Sequence, residues 1–257
     1  MAGMDIERHN YAQIERLNQR GGRTLSIVDL VRAGTLNVEM AAAAMRSLSQ
    51  GASLLTGARP GGAGKTTLMA ALLNLMPPEI PIATVEDRTV LDRALASPAE
   101  PSCYLAHEIG SGDWYGYLWG SDVARFLTLI DGPRRVASCL HADTLDELVA
   151  MLTGRPLNVP RATVSRVGLM LFMHVSPAPR AYRRRVATFY ESDGAGNHRL
   201  RYRWDAASDS FSRQPSGEDP EALAPYVDFL TELVDRGETD GRAVRRRVLD
   251  FYRSASS

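Results

Sequence analysis

Arg59-Pro60-Gly61-Gly62-Ala63-Gly64-Lys65-Thr66-Thr67 stands between the apolar run Ser53-Leu54-Leu55-Thr56 and a longer apolar stretch reaching Met76. Its small residues let backbone N–H groups wrap an anion. A helix that opens at Lys65 adds unpaired amides and a favourable dipole to the same spot. The stretch therefore reads as a phosphate loop between a strand and a helix. Gly61, Gly62, Ala63, Gly64, Lys65, Thr66 and Thr67 are its nucleotide-binding residues. Lys65 is expected to reach the β- and γ-phosphates of ATP, and the Thr66 hydroxyl to join the Mg²⁺ shell. One position departs from the usual spacing: Arg59 stands where the first glycine belongs. A positive φ there would cost on the order of 1–3 kcal/mol, unless Gly57 takes up the turn.

Working outward, the chain alternates short apolar runs with helical patterns. Strands are expected at Ile82 to Val85, Cys103 to Ala106 and Val136 to Leu140. Helices are expected at Lys65 to Met76 (stopped by Pro77-Pro78), Asp122 to Ile130 and Thr144 to Leu152. Before the loop, Thr24 to Val31 reads as a short helix, and Asn37 as the N-cap of a second that stops at Gly51. This alternation predicts an α/β fold with a mostly parallel sheet. After Pro160 the pattern changes. Val167 to Val175, Arg185 to Tyr190 and Leu200 to Trp204 read as antiparallel strands, with a turn at Asp193-Gly194. Helices at Pro220 to Val234 and Arg242 to Tyr252 close the chain. The expected organisation is a polar segment over 1–22, the α/β domain over 23–213 and a helical segment over 219–257.

Three more strands end in polar groups: Glu86-Asp87-Arg88, His107-Glu108 and His141-Ala142-Asp143. In open parallel sheets ligands sit at the carboxyl ends of strands. A carboxylate placed there holds Mg²⁺ or orients the attacking water, and His141 is positioned to contact a γ-phosphate. Four such strand ends in order are more specific than any one alone.

The 257 residues carry 30 Lys+Arg against 30 Asp+Glu, so net charge gives no bulk attraction to nucleic acid or anionic lipid. Their apolar share of 44% is ordinary for a globular chain. The apolar run Val167 to Val175 falls far short of the ~20 residues of a spanning helix, and residues Met1 to Arg8 lack the apolar core of a signal peptide. A cytoplasmic protein is expected, with peripheral membrane contact open. Cys103 and Cys139, each in an apolar run, read as buried thiols. Arg180, Arg183, Arg184, Arg185, Arg199, Arg201 and Arg203 read as the alternation of a solvated edge strand, with subunit contact or a nucleic-acid surface as other readings. Trp114, Tyr115, Tyr117 and Trp119 read as a packing seam or a partner surface.

The order of these motifs resembles the type II/type IV secretion ATPase superfamily, which powers pilus assembly, protein secretion and the archaellum. The archaeal and tight-adherence branch is the most similar. Ser26 to Leu36 and Glu39 to Ala42 resemble its segments before the loop, and Leu72-Leu73-Asn74-Leu75-Met76-Pro77-Pro78 the helix after it. Val85-Glu86-Asp87 is similar to its Asp box, Tyr104 to Ile109 to its Walker B strand, and Ser138 to Asp143 to its His box. The resemblance covers about residues 24–253. It implies a RecA-like ATPase core that works as a hexamer, with ATP and Mg²⁺ at subunit interfaces and a platform protein of the inner membrane as partner. Glu86, Glu108 and His141 are then the catalytic candidates, and Asp87 joins Thr66 toward the metal. The departures are the short N-terminal region, Arg59, Gly110 where an arginine is usual, and a segment between Asp box and Walker B cut to Arg88 through Ser102. Arginine supply to the transition state is worth ~10³–10⁵ in rate. A weakened paralogue that binds ATP as a regulatory or structural partner is therefore the alternative to an active motor.

Overall fold

Leu54 and Leu55 point to opposite sides of one strand and enter two different cores, as the two-residue period of a sheet buried on both faces requires. The computed structural model describes residues 2–18, 21–178, 181–215 and 220–255. Arg20 and Arg180 lie outside the described residues. In chain order the elements are α1 (Ala2–Glu15), α2 (Ile27–Arg32), α3 (Val38–Ser49), β1 (Leu54–Gly57), α4 (Lys65–Leu73), β2 (Ile82–Thr84) and α5 (Arg88–Ala96). There follow β3 (Ser102–Leu105), β4 (Glu108–Ile109), β5 (Tyr117–Leu118), α6 (Ser121–Leu127) with a 3-10 turn at Thr128–Ile130, β6 (Arg134–Leu140), α7 (Leu145–Thr153) and α8 (Arg161–Val164). The chain finishes with β7 (Leu169–Ala178), β8 (Ala181–Ser192), β9 (His198–Asp205), β10 (Ser210–Arg213), α9 (Pro220–Asp235) and α10 (Gly241–Ala255).

The sheet runs β10-β9-β8-β7-β1-β6-β3-β2, with β4 and β5 branching beside β6. From β7 to β2 every pairing is parallel, with Leu54 of β1 level with Ala137 on one side and Leu169 on the other. From β7 to β10 every pairing is antiparallel. This is the mixed α/β fold that the sequence led us to expect, a largely parallel sheet with antiparallel C-terminal strands and C-terminal helices. Helices α1–α4, α9 and α10 cover one face and α5–α8 the other.

Local chemistry explains the helix ends. Ser26 caps α2 in a reciprocal box with Asp29. Asn37 caps α3 by accepting from the Met40 N–H, and Gly51 at φ 95° follows its end. The carbonyl end of α4 is closed by α10: Arg245, buried, donates to the carbonyls of Asn74 and Met76 and to Glu7 of α1. A cation there answers both the unpaired carbonyls and the negative end of the helix dipole.

Two readings change at this level. The polar segment 1–22 contains α1, whose polar side chains dress the edge strand β2. Asn10 bonds the Ile80 carbonyl and the Ile82 N–H, His9 contacts the Ile82 carbonyl, and Gln13 accepts from Thr84. An exposed strand edge is thereby covered. The shortened segment after the Asp box still builds a helix, α5. Cys103 and Cys139 are free and buried, and burial pushes their thiols up to about 12 and about 11. Among the described residues no helix is long and apolar enough to cross a membrane.

Candidate functional site

The loop residues Gly61 to Thr67 line a cavity of about 900 Å³ at the carboxyl ends of β1, β6 and β7. The loop needs no strain at Arg59. Among the described residues the positive-φ non-glycines are Glu79, Asn158 and Asp209, and the turn is taken by Gly62 (φ 78°) and Gly64 (φ 101°). Gly57 does not take up the turn either. It is glycine for space, because a Cβ there would stand 2.5 Å from the Ala142 carbonyl and 2.7 Å from the Phe172 ring. Arg59 instead ties the start of the loop to α7. Its N–H donates to Asp143 at 2.7 Å and its guanidinium to Glu147 at 2.7 Å.

Lys65 is buried at the start of α4, its Nζ donating to the Ala58 carbonyl at 2.9 Å. The His141 Nδ1 lies 3.5 Å from that Nζ and 2.9 Å from the Arg59 carbonyl. On its other edge, Nε2 meets Glu108 Oε1 at 2.6 Å. Lys65, His141 and Glu108 thus form one connected chain across the cavity wall, all three lining it with Thr66. Tyr117, paired with Glu108 in the β4–β5 ladder, lies against the same carboxylate. Burial first, and the Glu108 charge second, push its hydroxyl up. Thr56 and Cys139 pack beneath the loop at 3.1 Å from each other.

Glu86 and Asp87 do not join them. Neither lines the cavity. Glu86 accepts from the Tyr115 hydroxyl at 2.6 Å and lies 3.5 Å from Arg16 of α1. Asp87 is the N-cap of α5, accepting from the Val90 N–H. Capping accounts for this residue without a metal. The structure thus does not bring Glu86 and Asp87 into the cavity beside Lys65, Glu108 and His141.

The opposite wall comes from the C-terminal strands. Arg183, Arg184 and Arg185 of β8 line the cavity, as do Arg23, Leu25 and Thr35 from the region of α2. The solvated-edge reading does not hold for Arg183, Arg184 and Arg185, which are half-buried and line the cavity. Arg201 of β9 is likewise buried, against Glu191. Arg185 grips Asp209 through two bonds of 2.8 and 2.9 Å and donates to the Ala33 carbonyl. Arg185 and Trp204 hold the Asp209 carboxyl well below the usual range. The described lining is strongly cationic: Arg23, Lys65, Arg183, Arg184 and Arg185 face Glu108 as its one carboxylate. Sequence reasoning placed these arginines on β strands but had no local signal for the long-range pairing that brings β8 beside the loop. The aromatic set divides: Tyr117 lines the cavity, while Trp114 at 70%, Tyr115 at 42% and Trp119 at 41% are exposed.

No protein-family model and no curated protein sequence matches this chain. Among solved structures it is similar to the ATPase DotB of Legionella pneumophila, at 12% identity and a TM-score of 0.38, over 81% of this chain and 54% of that one. It is also similar to the VirB11 ATPase of the Brucella suis type IV secretion system, whose structure is a complex with sulphate. There the identity is 17% and the TM-score 0.37, over 71% of this chain and 53% of the other. The match thus spans about half the length of each of these proteins.

Proposed function

We propose that this chain is an ATP-binding and ATP-hydrolysing domain of the type II/type IV secretion ATPase superfamily. The observation that carries the reading is the convergence on one cavity of Lys65 at the start of α4, Thr66, and the Glu108–His141 pair at 2.6 Å. The donor set suits a nucleoside triphosphate: loop amides at a helix start, a buried lysine and an excess of guanidinium groups attract a polyanion. Among the described residues no cluster of three or more His, Cys, Asp or Glu side chains is placed to hold a metal by itself. The Mg²⁺ is therefore assigned to enter with the nucleotide, with Thr66 on its shell; when bound it supplies charge neutralisation between β- and γ-phosphates.

In this reading Glu108 accepts a proton from the attacking water, and His141 holds that carboxylate in place while its other edge rests on the loop. Both functions need groups fixed before the substrate arrives. Glu86 and Asp87 are given no part in them. Assembly into a hexamer, work beside a membrane platform protein, and the cytoplasm as its location follow from the family resemblance and belong to the same proposal.

A weakened, nucleotide-binding paralogue is the second reading. It is favoured by Glu86 being engaged with Tyr115 and Arg16 outside the cavity, and by Gly110 leaving no side chain beyond Glu108. Binding of labelled ATP to the wild type beside Lys65→Ala tests the part common to both. Saturable binding lost in the variant is expected; equal binding in both would overturn the site. Phosphate release then separates the two readings.

A further inference from the structure

Four arginines line the cavity, and three are committed to carboxylates. Arg23 holds Asp29 at 2.6 and 2.8 Å, Arg185 holds Asp209 at 2.8 and 2.9 Å, and Arg183 lies 3.8 Å from the same Asp209. Arg184 is different. Its Nε donates to the Gly62 carbonyl at 3.1 Å, and its guanidinium lies 5.8 Å from the Tyr182 ring centroid. Among the described residues it forms no ion pair, and its two Nη groups have no hydrogen-bond acceptor. Its Cδ comes within 3.3 Å of where a Cβ on Gly64 would stand. The head group is therefore pinned to the loop by one edge while its remaining N–H groups are left for the cavity.

A half-buried guanidinium without a counter-charge is costly unless a ligand supplies one. The planar fork suits two oxygens of a phosphate. The strand beneath it is fixed, because Arg185, the next residue, is bonded to Asp209 and to the Ala33 carbonyl. We propose that Arg184 is a nucleotide-binding residue that grips the phosphate chain from the wall opposite Glu108 and His141, so that the antiparallel extension supplies the cation which the loop's own strands do not. This rests on the ATP site proposed above. Because Arg184 lies across the cavity from the Glu108–His141 pair, it acts on binding more than on the chemical step.

The test is the affinity of the full chain and of Arg184→Ala, Arg184→Lys and Lys65→Ala for ATP, ADP, AMP and adenosine, with circular dichroism as the check on folding. Arg184→Ala is expected to weaken ATP about 10- to 100-fold, the span of lost charge-assisted bonds, while leaving adenosine unchanged. Arg184→Lys restores part of the loss, as a point charge replaces the fork. The shortest nucleotide that feels the substitution identifies the phosphate gripped. Wild-type affinity for all four ligands in a folded Arg184→Ala protein would overturn the proposal and leave Arg184 as a brace on Gly62. So would an equal loss for ATP and adenosine. If Lys65→Ala also binds ATP as the wild type does, the ATP site itself fails; if Lys65→Ala loses ATP while Arg184→Ala does not, only the role of Arg184 fails.

Discussion

On the wall built by the parallel strands, each polar group is answered by another: Lys65 by the Ala58 carbonyl, His141 by the Arg59 carbonyl and Glu108, Arg59 by Asp143 and Glu147. On the wall built by the antiparallel extension, Arg183 and Arg185 share Asp209, while the Arg184 guanidinium donates to the Gly62 carbonyl, lies near Tyr182 and, among the described residues, forms no ion pair. Under the proposed function the first wall is the one preorganised for chemistry, since its groups already hold one another in place. The second is charged for capture. In the proposed function, position of a side chain on the sheet thus separates turning over a ligand from holding it.

If that division is right, the largest effect belongs to Glu108. Glu108→Gln keeps the volume and removes the base, so ATP hydrolysis should fall ~10²–10⁴-fold with ATP affinity retained. Phosphate release measured beside binding checks this, and an equal loss in Glu86→Gln would break the distinction between cavity and non-cavity carboxylates. Next comes packing under the loop. Gly57→Ala puts a Cβ 2.5 Å from the Ala142 carbonyl, an overlap with backbone expected to cost about 1–3 kcal/mol in a denaturant melt. A melt unchanged by it would mean that β1 and the His141 segment are looser than this wall requires.

A pH titration reads a group behind that wall, His107, which follows β3 and does not line the cavity. Burial, then the nearby Arg16 charge, lower the His107 imidazole from 6.5 to about 4. The unfolded chain therefore takes up a proton that the folded chain refuses. Stability conferred by the neutral ring is full above pH 6.5, declines as pH falls toward about 4, and changes no further below that. His107→Gln should flatten the decline across that window in urea melts at a series of pH values; an unaltered slope would exclude His107 as its source. The smallest effect is Arg59→Gly. Arg59 is exposed and its pairs with Asp143 and Glu147 are surface ion pairs, worth about 0–1 kcal/mol. Turnover should change by no more than a few-fold, and a gain above that would show that glycine is the better residue at the start of this loop.

The parallel core was legible because its signals are local. Glycines at 62 and 64, an apolar run on each side, and carboxylates or histidines at strand ends all lie within a few residues of one another. Glu108 and His141 were identified for that reason, and their strands carry them together across β6. An N-cap and a metal-bound carboxylate leave a strand with the same residue type, so the sequence alone does not show that Asp87 caps α5. The helix α1 looked merely polar, because Asn10 and Gln13 spend their hydrogen bonds on the edge of β2 and not on solvent. Arg184 was visible as charge but not as a wall of the cavity: that depends on β7 and β8 pairing antiparallel, with Arg184 opposite Val175, which no spacing in the sequence encodes.

The most direct test is ATP hydrolysis by the purified chain beside Lys65→Ala across a range of protein concentrations. The account predicts phosphate release whose specific rate rises with concentration, as an assembling ATPase requires, and which vanishes in Lys65→Ala. Release of phosphate at the same rate by both proteins, or no release and no ATP binding by the wild type, would contradict it.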